Sequence, residues 1–182
     1  DDGFDTNGLV CPFDYEGTKK KKVYFLKNGI SNDFVFDSES GKRNGKESTG
    51  HRAIDVDYPS DRSGSPQNLF FESGENTLDE MLGAVKSGLY ITRFHYINGL
   101  LNHKVALMTG LTRDGTFFIE DGKIKYPVRN LRFTMSIVEA FNRVKMISKD
   151  QKKCHFLDGK SSSIVVPSVL ISDFQFTGHQ KE

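Results

Sequence analysis

The strongest constraint on this chain is a succession of closely spaced turn signals between Gly88 and Val128. The segments Leu89 to Ile97, Lys104 to Thr109, Thr116 to Glu120 and Lys123 to Val128 carry β-branched and aromatic residues, each set off by turn residues, as consecutive strands would be. Asp114-Gly115 and Asp121-Gly122 supply the positive φ angles that tight hairpins need. An antiparallel meander is the expected result. Residues 116–119 are almost wholly apolar, whereas 89–96 include Arg93 and His95, so the second hairpin is expected to lie deeper in the core.

Two helices flank that meander. Thr77 with Glu80 three residues on forms a capping box, Leu78, Met81, Leu82 and Val85 share a face, and Gly88 stands where a C-terminal cap belongs. Ser136 and Glu139 repeat the box ahead of Ile137, Ala140, Phe141 and Val144. Upstream, Val23 to Lys27 reads as a strand closed by Asn28-Gly29 and followed by Ile30 to Phe36. Arg52 to Tyr58 and Gln67 to Glu72 read as two more, separated by a Ser-, Gly- and Pro-rich loop over residues 59–66. Gly41 and Gly45 argue against a helix over residues 37–50. Residues 148–153 read as a polar segment, and Ile164 to Phe176 as a bent strand whose Pro167 must sit at an edge or bulge. The predicted fold class is α+β, mainly antiparallel sheet of meander or barrel-like form with two capped helices packed on it, in a single domain spanning residues 1–182.

Composition narrows the function. A formal net charge of +1 over 182 residues argues against an electrostatic nucleic-acid binder. The Lys19–Lys22 run could be a patch for nucleic acid or acidic peptide, but against that neutral background it reads better as a strand edge blunted by charge. No apolar run is long enough to span a membrane and no signal segment opens the chain, so a soluble, cytoplasmic protein with no membrane partner is expected. Two cysteines, Cys11 and Cys154, suit reduced thiols or one metal ligand better than a disulfide framework.

Several segments resemble, in order, the C-terminal region of the TldD/PmbA family of zinc metallopeptidase subunits, once called modulators of DNA gyrase. They are Cys11-Pro12-Phe13-Asp14-Tyr15-Glu16-Gly17, Ser48-Thr49-Gly50-His51, Asn68-Leu69-Phe70-Phe71-Glu72, GLYITRF from Gly88, LMTGLTRDGTFFIEDGKIKYPV from Leu107 and PSVLISDFQFTG from Pro167. The resemblance implies a domain that helps process peptides or unfolded polypeptides. It also implies a homologous subunit as partner, in a homo- or hetero-oligomer. The chain opens on Asp1 without a Met and reads as a piece of a longer protein, its N-terminal half absent. In the family, that half holds the His-Glu-x-x-x-His helix. Here His51, His95, His103, His155 and His179 make no helical ligand pair, so zinc is expected in the full-length family and not in this fragment alone.

The resemblance makes Cys154 the candidate metal ligand, since zinc-bearing members complete their site with a Cys in this closing segment. The competing reading is a thiol with no catalytic role. Thr109 and Arg113 are the candidate substrate-binding residues. A guanidinium offers a carboxylate a planar fork, and a turn ion pair between Arg113 and Asp114 is the plainer alternative. His95 and His103 flank the first hairpin and read as structural. No catalytic residue is assigned, and whether the chain belongs to an enzyme stays open. Three functions follow from the resemblance: a metallopeptidase subunit's C-terminal domain, a non-catalytic partner providing scaffold and substrate-binding wall, and, disfavoured by charge, a gyrase modulator.

Overall fold

The computed structural model describes residues 1–52, 64–155 and 162–179, without the side chains of Leu100, His155 and His179. In chain order its elements open with β1 (Leu26–Lys27), β2 (Ile30–Ser31), α1 (Ser38–Arg43), β3 (Asn68–Phe70) and α2 (Leu78–Gly83). The long strands β4 (Ser87–Asn102) and β5 (Leu107–Glu120) follow, then β6 (Lys123–Pro127), β7 (Leu131–Ser136) and α3 (Ile137–Asn142). The chain closes with β8 (Val144–His155), β9 (Ser163–Ile171) and β10 (Phe176–His179). Strands dominate, pairing is mostly antiparallel and the sheets are open, so the α+β class holds, without closure into a barrel. All of the expected Arg52 to Tyr58 strand but Arg52 itself, most of the 59–66 loop, and Asp158-Gly159 lie outside the described residues.

Two compact units emerge, Asp1–Glu72 with Gln151–Val166, and Ser73–Asp150 with Pro167–Glu182. In the first, Asn28 (φ 53°) and Gly29 (φ 77°) turn the β1–β2 hairpin as their sequence demands. Helix α1 forms despite Gly41. Asp37 and Ser40 make a capping box, and a Cβ on Gly41 would stand 2.9 Å from the Lys46 carbonyl oxygen, so the close return of the chain requires glycine there. Gly45, at φ 64°, follows the Asn44 cap in the left-handed conformation that ends helices.

The lysine run is not a blunted edge. Lys20 is buried and donates to Gln67 Oε1 at 2.6 Å. Lys21 pairs with Glu47 at 2.9 Å, Lys22 with Asp2 at 3.3 Å, and the Lys19 ammonium sits 5.3 Å from the centre of the Phe4 ring. Each lysine has its own partner within the first unit.

The second unit is organised by β5. One edge of β5 pairs with β4 almost end to end, while the other is shared, Leu107 to Leu111 with β7 and Phe117 to Glu120 with β6. Strand β10 extends the sheet beyond β7, giving the order β10-β7-β5-β4. The sequence suggested separate strands joined by an Asp114-Gly115 turn. Instead the chain runs straight through, and the positive φ angles of Asp114 (61°) and Gly115 (141°) make a bulge. Thr92 alone opposes both residues, since Ile91 pairs with Thr116 and Arg93 with Arg113. Turn and bulge ask the same dihedrals of the chain, which is why the dipeptide alone did not distinguish them. Asp121 (φ 47°) and Gly122 (φ 75°) do make the expected tight turn.

Strands β7 and β8 went unread because β7 is short and runs directly into the Ser136 helix cap, and β8 alternates weakly and is rich in charge. β7 is nonetheless interior to the sheet, carrying fully buried Phe133 and buried Met135. β8 borders the three-stranded sheet ordered β3-β9-β8, and such an edge tolerates its lysines. Pro167 lies past Val165, the last β9 residue paired with β3, where no ladder bond to β3 is forfeited. Helix α2 has its predicted capping box but ends at Ala84, so Gly88 belongs to β4 rather than to a cap. Helix α3 is capped by Ser136 and buries Ala140, while Phe141 stays exposed and Val144 begins β8.

The packing centre is aromatic. The Phe133 ring lies 4.7 Å from Phe94 and 5.4 Å from Phe174, centroid to centroid, and Phe174 continues to Phe176 at 5.3 Å. Gly110 pairs with Phe133, and a Cβ there would come within 2.7 Å of the ring, so the ring lies over bare backbone. Phe133→Ala should lower stability by about 3–5 kcal/mol, read as a reduced midpoint in urea unfolding. A change below about 1 kcal/mol would show that this cluster does not hold the second unit together.

Candidate functional site

The bulge determines which side chains stand out from the second unit's sheet. Arg93 and Arg113 are cross-strand partners, as are His95 and Leu111, so the pleat puts all four on one face. Phe94 and Thr112, between them, belong to the opposite face, where Phe94 joins the aromatic cluster. Thr92 clamps the bulge by donating its hydroxyl towards the Arg113 and Gly115 carbonyls, at 3.2 and 3.1 Å. Asp114, pushed outward, bonds the Arg93 guanidinium and stands 3.8 Å from Arg113 Nε. The ion pair expected of Arg113 and Asp114 is therefore loose, and Arg93 is the closer partner.

Beside the bulge is a hollow of about 240 Å³, lined by His95, Leu111, Thr112, Arg113, Asp114 and Asn130. The Thr112 hydroxyl is committed, accepting from Thr116 Oγ1 at 2.7 Å and from the Leu131 amide at 2.9 Å. The hollow thus brings together Arg113, singled out from the sequence, and His95, read there as structural. Asn130 and Arg93 were missed. Only pairing register reveals Arg93, and the chain approach before β7 reveals Asn130.

Thr109 is elsewhere. Its hydroxyl donates to the Phe133 carbonyl at 2.7 Å and accepts from Thr134 at 3.1 Å, tying β5 to β7. Cys154 is exposed on β8 in the first unit. Among the described residues no three or more His, Cys, Asp or Glu side chains gather as a metal site. A single exposed cysteine does not make a zinc centre by itself, since zinc takes about four ligands.

Residues 1–178 match the family described as the PmbA/TldA metallopeptidase C-terminal domain. The chain belongs to that family. It is 24% identical over 169 residues to metalloprotease PmbA of Escherichia coli O157:H7, covering 92% of this chain and 32% of that protein. It is 26% identical over 138 residues to a zinc metalloprotease TldD homolog of Saccharolobus solfataricus, covering 76% of this chain and 30% of the relative. The fold matches the crystal structure of TldE from Thermococcus kodakarensis with a TM-score of 0.84 at 22% identity, over 98% of this chain and 39% of that one. The chain spans about a third of the length of these relatives.

Three of the segments that carried the PmbA/TldD resemblance, at residues 11–17, 48–51 and 68–72, prove to be pins of the first unit. Asp14 Oδ1 accepts the amides of Glu16 (3.0 Å) and Thr18 (2.8 Å), and Oδ2 that of Arg52 (2.9 Å), closing the turn on Gly17. Fully buried Asn68 donates to the Asp2 carbonyl at 2.6 Å and, like Ser163 Oγ, accepts the Leu9 amide at 2.8 Å. A Cβ on Gly8 would lie 1.9 Å from Asn68 Oδ1, so only glycine passes there. Buried Asp37 accepts from the Ser40 hydroxyl and amide and from Arg52 Nη1 at 2.6 Å. Burial would raise its pKa, but these bonds together hold it below the ordinary carboxylate value.

His51, fully buried, has Nε2 2.9 Å from Asp1 Oδ1 and Nδ1 2.9 Å from both the Thr49 carbonyl and its hydroxyl. Burial, aided by the Lys20 ammonium, pushes the imidazole down to about 4, so near neutral pH the ring is uncharged. An unfolded histidine takes up its proton near pH ~6.5. Above that pH both states are neutral and the contribution is complete. As pH falls from about 6.5 towards 4, the unfolded chain binds a proton that the folded one refuses, and stability drops. Urea unfolding at pH 7.5 and 4.5 should differ by up to about 3 kcal/mol, and His51→Gln should flatten that difference. An unchanged slope in the variant would mean that another group carries the pH dependence.

Proposed function

We propose that this chain is the polypeptide-handling C-terminal part of a TldD/PmbA-type peptidase subunit, and that an extended peptide adds as a strand along the outer edge of β4. The observation that supports this most is the edge itself. β4 ends the sheet order β10-β7-β5-β4, is 16 residues long and, among the described residues, has a strand partner only in β5. An unpaired row of amides and carbonyls binds an extended chain through main-chain hydrogen bonds and asks little of its side chains. That suits a peptidase whose substrates are unfolded. Residues 1–182 are proposed to act as one functional domain, since the family match runs through both compact units.

Arg113 presents its guanidinium to an incoming chain, whereas Thr109 is engaged in holding β5 to β7. Zinc is proposed to be bound chiefly by residues outside this chain, with Cys154 contributing a thiolate. The zinc named in the Saccharolobus solfataricus relative and the exposure of Cys154 support that assignment. The partner is proposed to be a homologous subunit and the compartment the cytoplasm, in keeping with sparse cysteines. No helix among the described residues is long and apolar enough to cross a membrane. Gyrase modulation by direct nucleic-acid contact is disfavoured, because the lysine run is engaged within the first unit.

A peptide methylated at alternate backbone nitrogens cannot donate to a strand edge. It should bind at least tenfold more weakly than the unmodified peptide of the same sequence, a difference of about 1.4 kcal/mol or more. Equal affinities would rule out strand addition. In the complete protein, Cys154→Ser should lower zinc content and peptide cleavage together, and unchanged metal stoichiometry would reject the thiolate as a ligand.

A further inference from the structure

We infer that the hollow beside the Asp114–Gly115 bulge is a carboxylate subsite that receives the C-terminal carboxylate of a bound peptide. Like charges placed directly opposite on neighbouring strands destabilise a sheet, yet Arg93 and Arg113 occupy one cross-strand pair. Among the described residues Asp114 is the only carboxylate paired with either of them, and it bonds Arg93. Two guanidinium charges against one carboxylate leave a surplus positive charge on Arg113. Packing gives no reason for that surplus, since all three side chains are about half exposed. A visiting anion would neutralise it.

The polar groups around the hollow agree in kind. Beyond the 3.8 Å approach to Asp114, the Arg113 guanidinium makes no ion pair or hydrogen bond among the described residues, so its fork of donors is uncommitted. His95 and Asn130, both half-buried, line the same hollow and make no side-chain hydrogen bond among the described residues. A guanidinium, an amide NH₂ and an imidazole N–H are three donor types suited to one carboxylate, with Arg able to bind it through two parallel bonds. At about 240 Å³ the hollow is smaller than the ~300–1,000 Å³ typical of drug-sized ligands and matches a terminal residue. Leu111 is the apolar side chain of the lining. The bulge is the device that makes this possible, because it lifts Asp114 out of the ladder and leaves Arg113 facing the hollow.

The assignment rests on the polypeptide-handling reading, but the two fail separately. N-acetylalanine carries a free carboxylate and is too short to form a strand, so it probes the hollow alone. Titrated into the protein, it should shift the His95 ring and Asn130 side-chain amide resonances saturably, whereas N-acetylalaninamide should do so at least tenfold more weakly. Arg113→Ala should abolish the preference. Asp114→Asn, which keeps a residue tolerant of positive φ and removes the competing carboxylate, should tighten binding threefold or more. Equal response to acid and amide, an Arg113→Ala protein that responds like the parent, or inorganic phosphate binding more tightly than N-acetylalanine would each overturn the subsite. A long C-terminally amidated peptide that still binds would in that case leave strand addition standing. A response to N-acetylalanine without any binding of long peptides would keep the subsite and remove the strand-addition reading.

Discussion

Everything in the second unit depends on β5 being one continuous strand. Because β4 takes one of its edges, while β7 and β6 divide the other, a break in β5 would separate three partners at once. The bulge at Asp114–Gly115 lets a strand this long stay paired while the sheet twists, and Thr92 secures it with its hydroxyl. The same irregularity brings Arg93 and Arg113 out on the face opposite the aromatic core. Fold and candidate site therefore share one cause, a pair of positive φ angles within a strand.

The first unit is held differently. Its apolar core is thin, and its interior is stitched by polar side chains that answer buried backbone groups: Asp14 for a turn, Asp37 for a helix start, Asn68 and Ser163 for the Leu9 amide. Buried polar groups are costly unless every bond is made, and no described buried side-chain atom lacks a partner. Such a network is specific but intolerant of change, as the absence of room for a Cβ at Gly8 shows. Asp14 and Asn68 are among the residues that carried the family resemblance, so in this unit the resemblance was carried by architecture rather than by chemistry.

Sequence patterns were legible wherever a local rule determined the structure. Asn28-Gly29 and Asp121-Gly122 turned as expected, and Thr77 with Glu80 capped a helix. They failed where distant partners decide. Gly41 sits in a helix because the Lys46 backbone leaves no room for a side chain, and Lys20 is buried because Gln67 waits for it. β7 hides Phe133 behind alternating polar residues that say nothing of its place in the sheet. Of the candidate site, Arg113 was visible as a residue type. Its pairing with Arg93, and its meeting with His95 and Asn130, exist only through strand register and a bulge.

The central claim is that the outer edge of β4 is a working surface for extended polypeptide. Amide hydrogen exchange along Ser87–Asn102, with and without a saturating unstructured peptide, tests it most directly. Strand addition predicts that alternate β4 amides, those whose N–H groups point away from β5, exchange more slowly when the peptide is bound, while the β5-facing amides change little. Uniform rates along β4 in the presence of bound peptide would contradict the account and move the binding surface elsewhere.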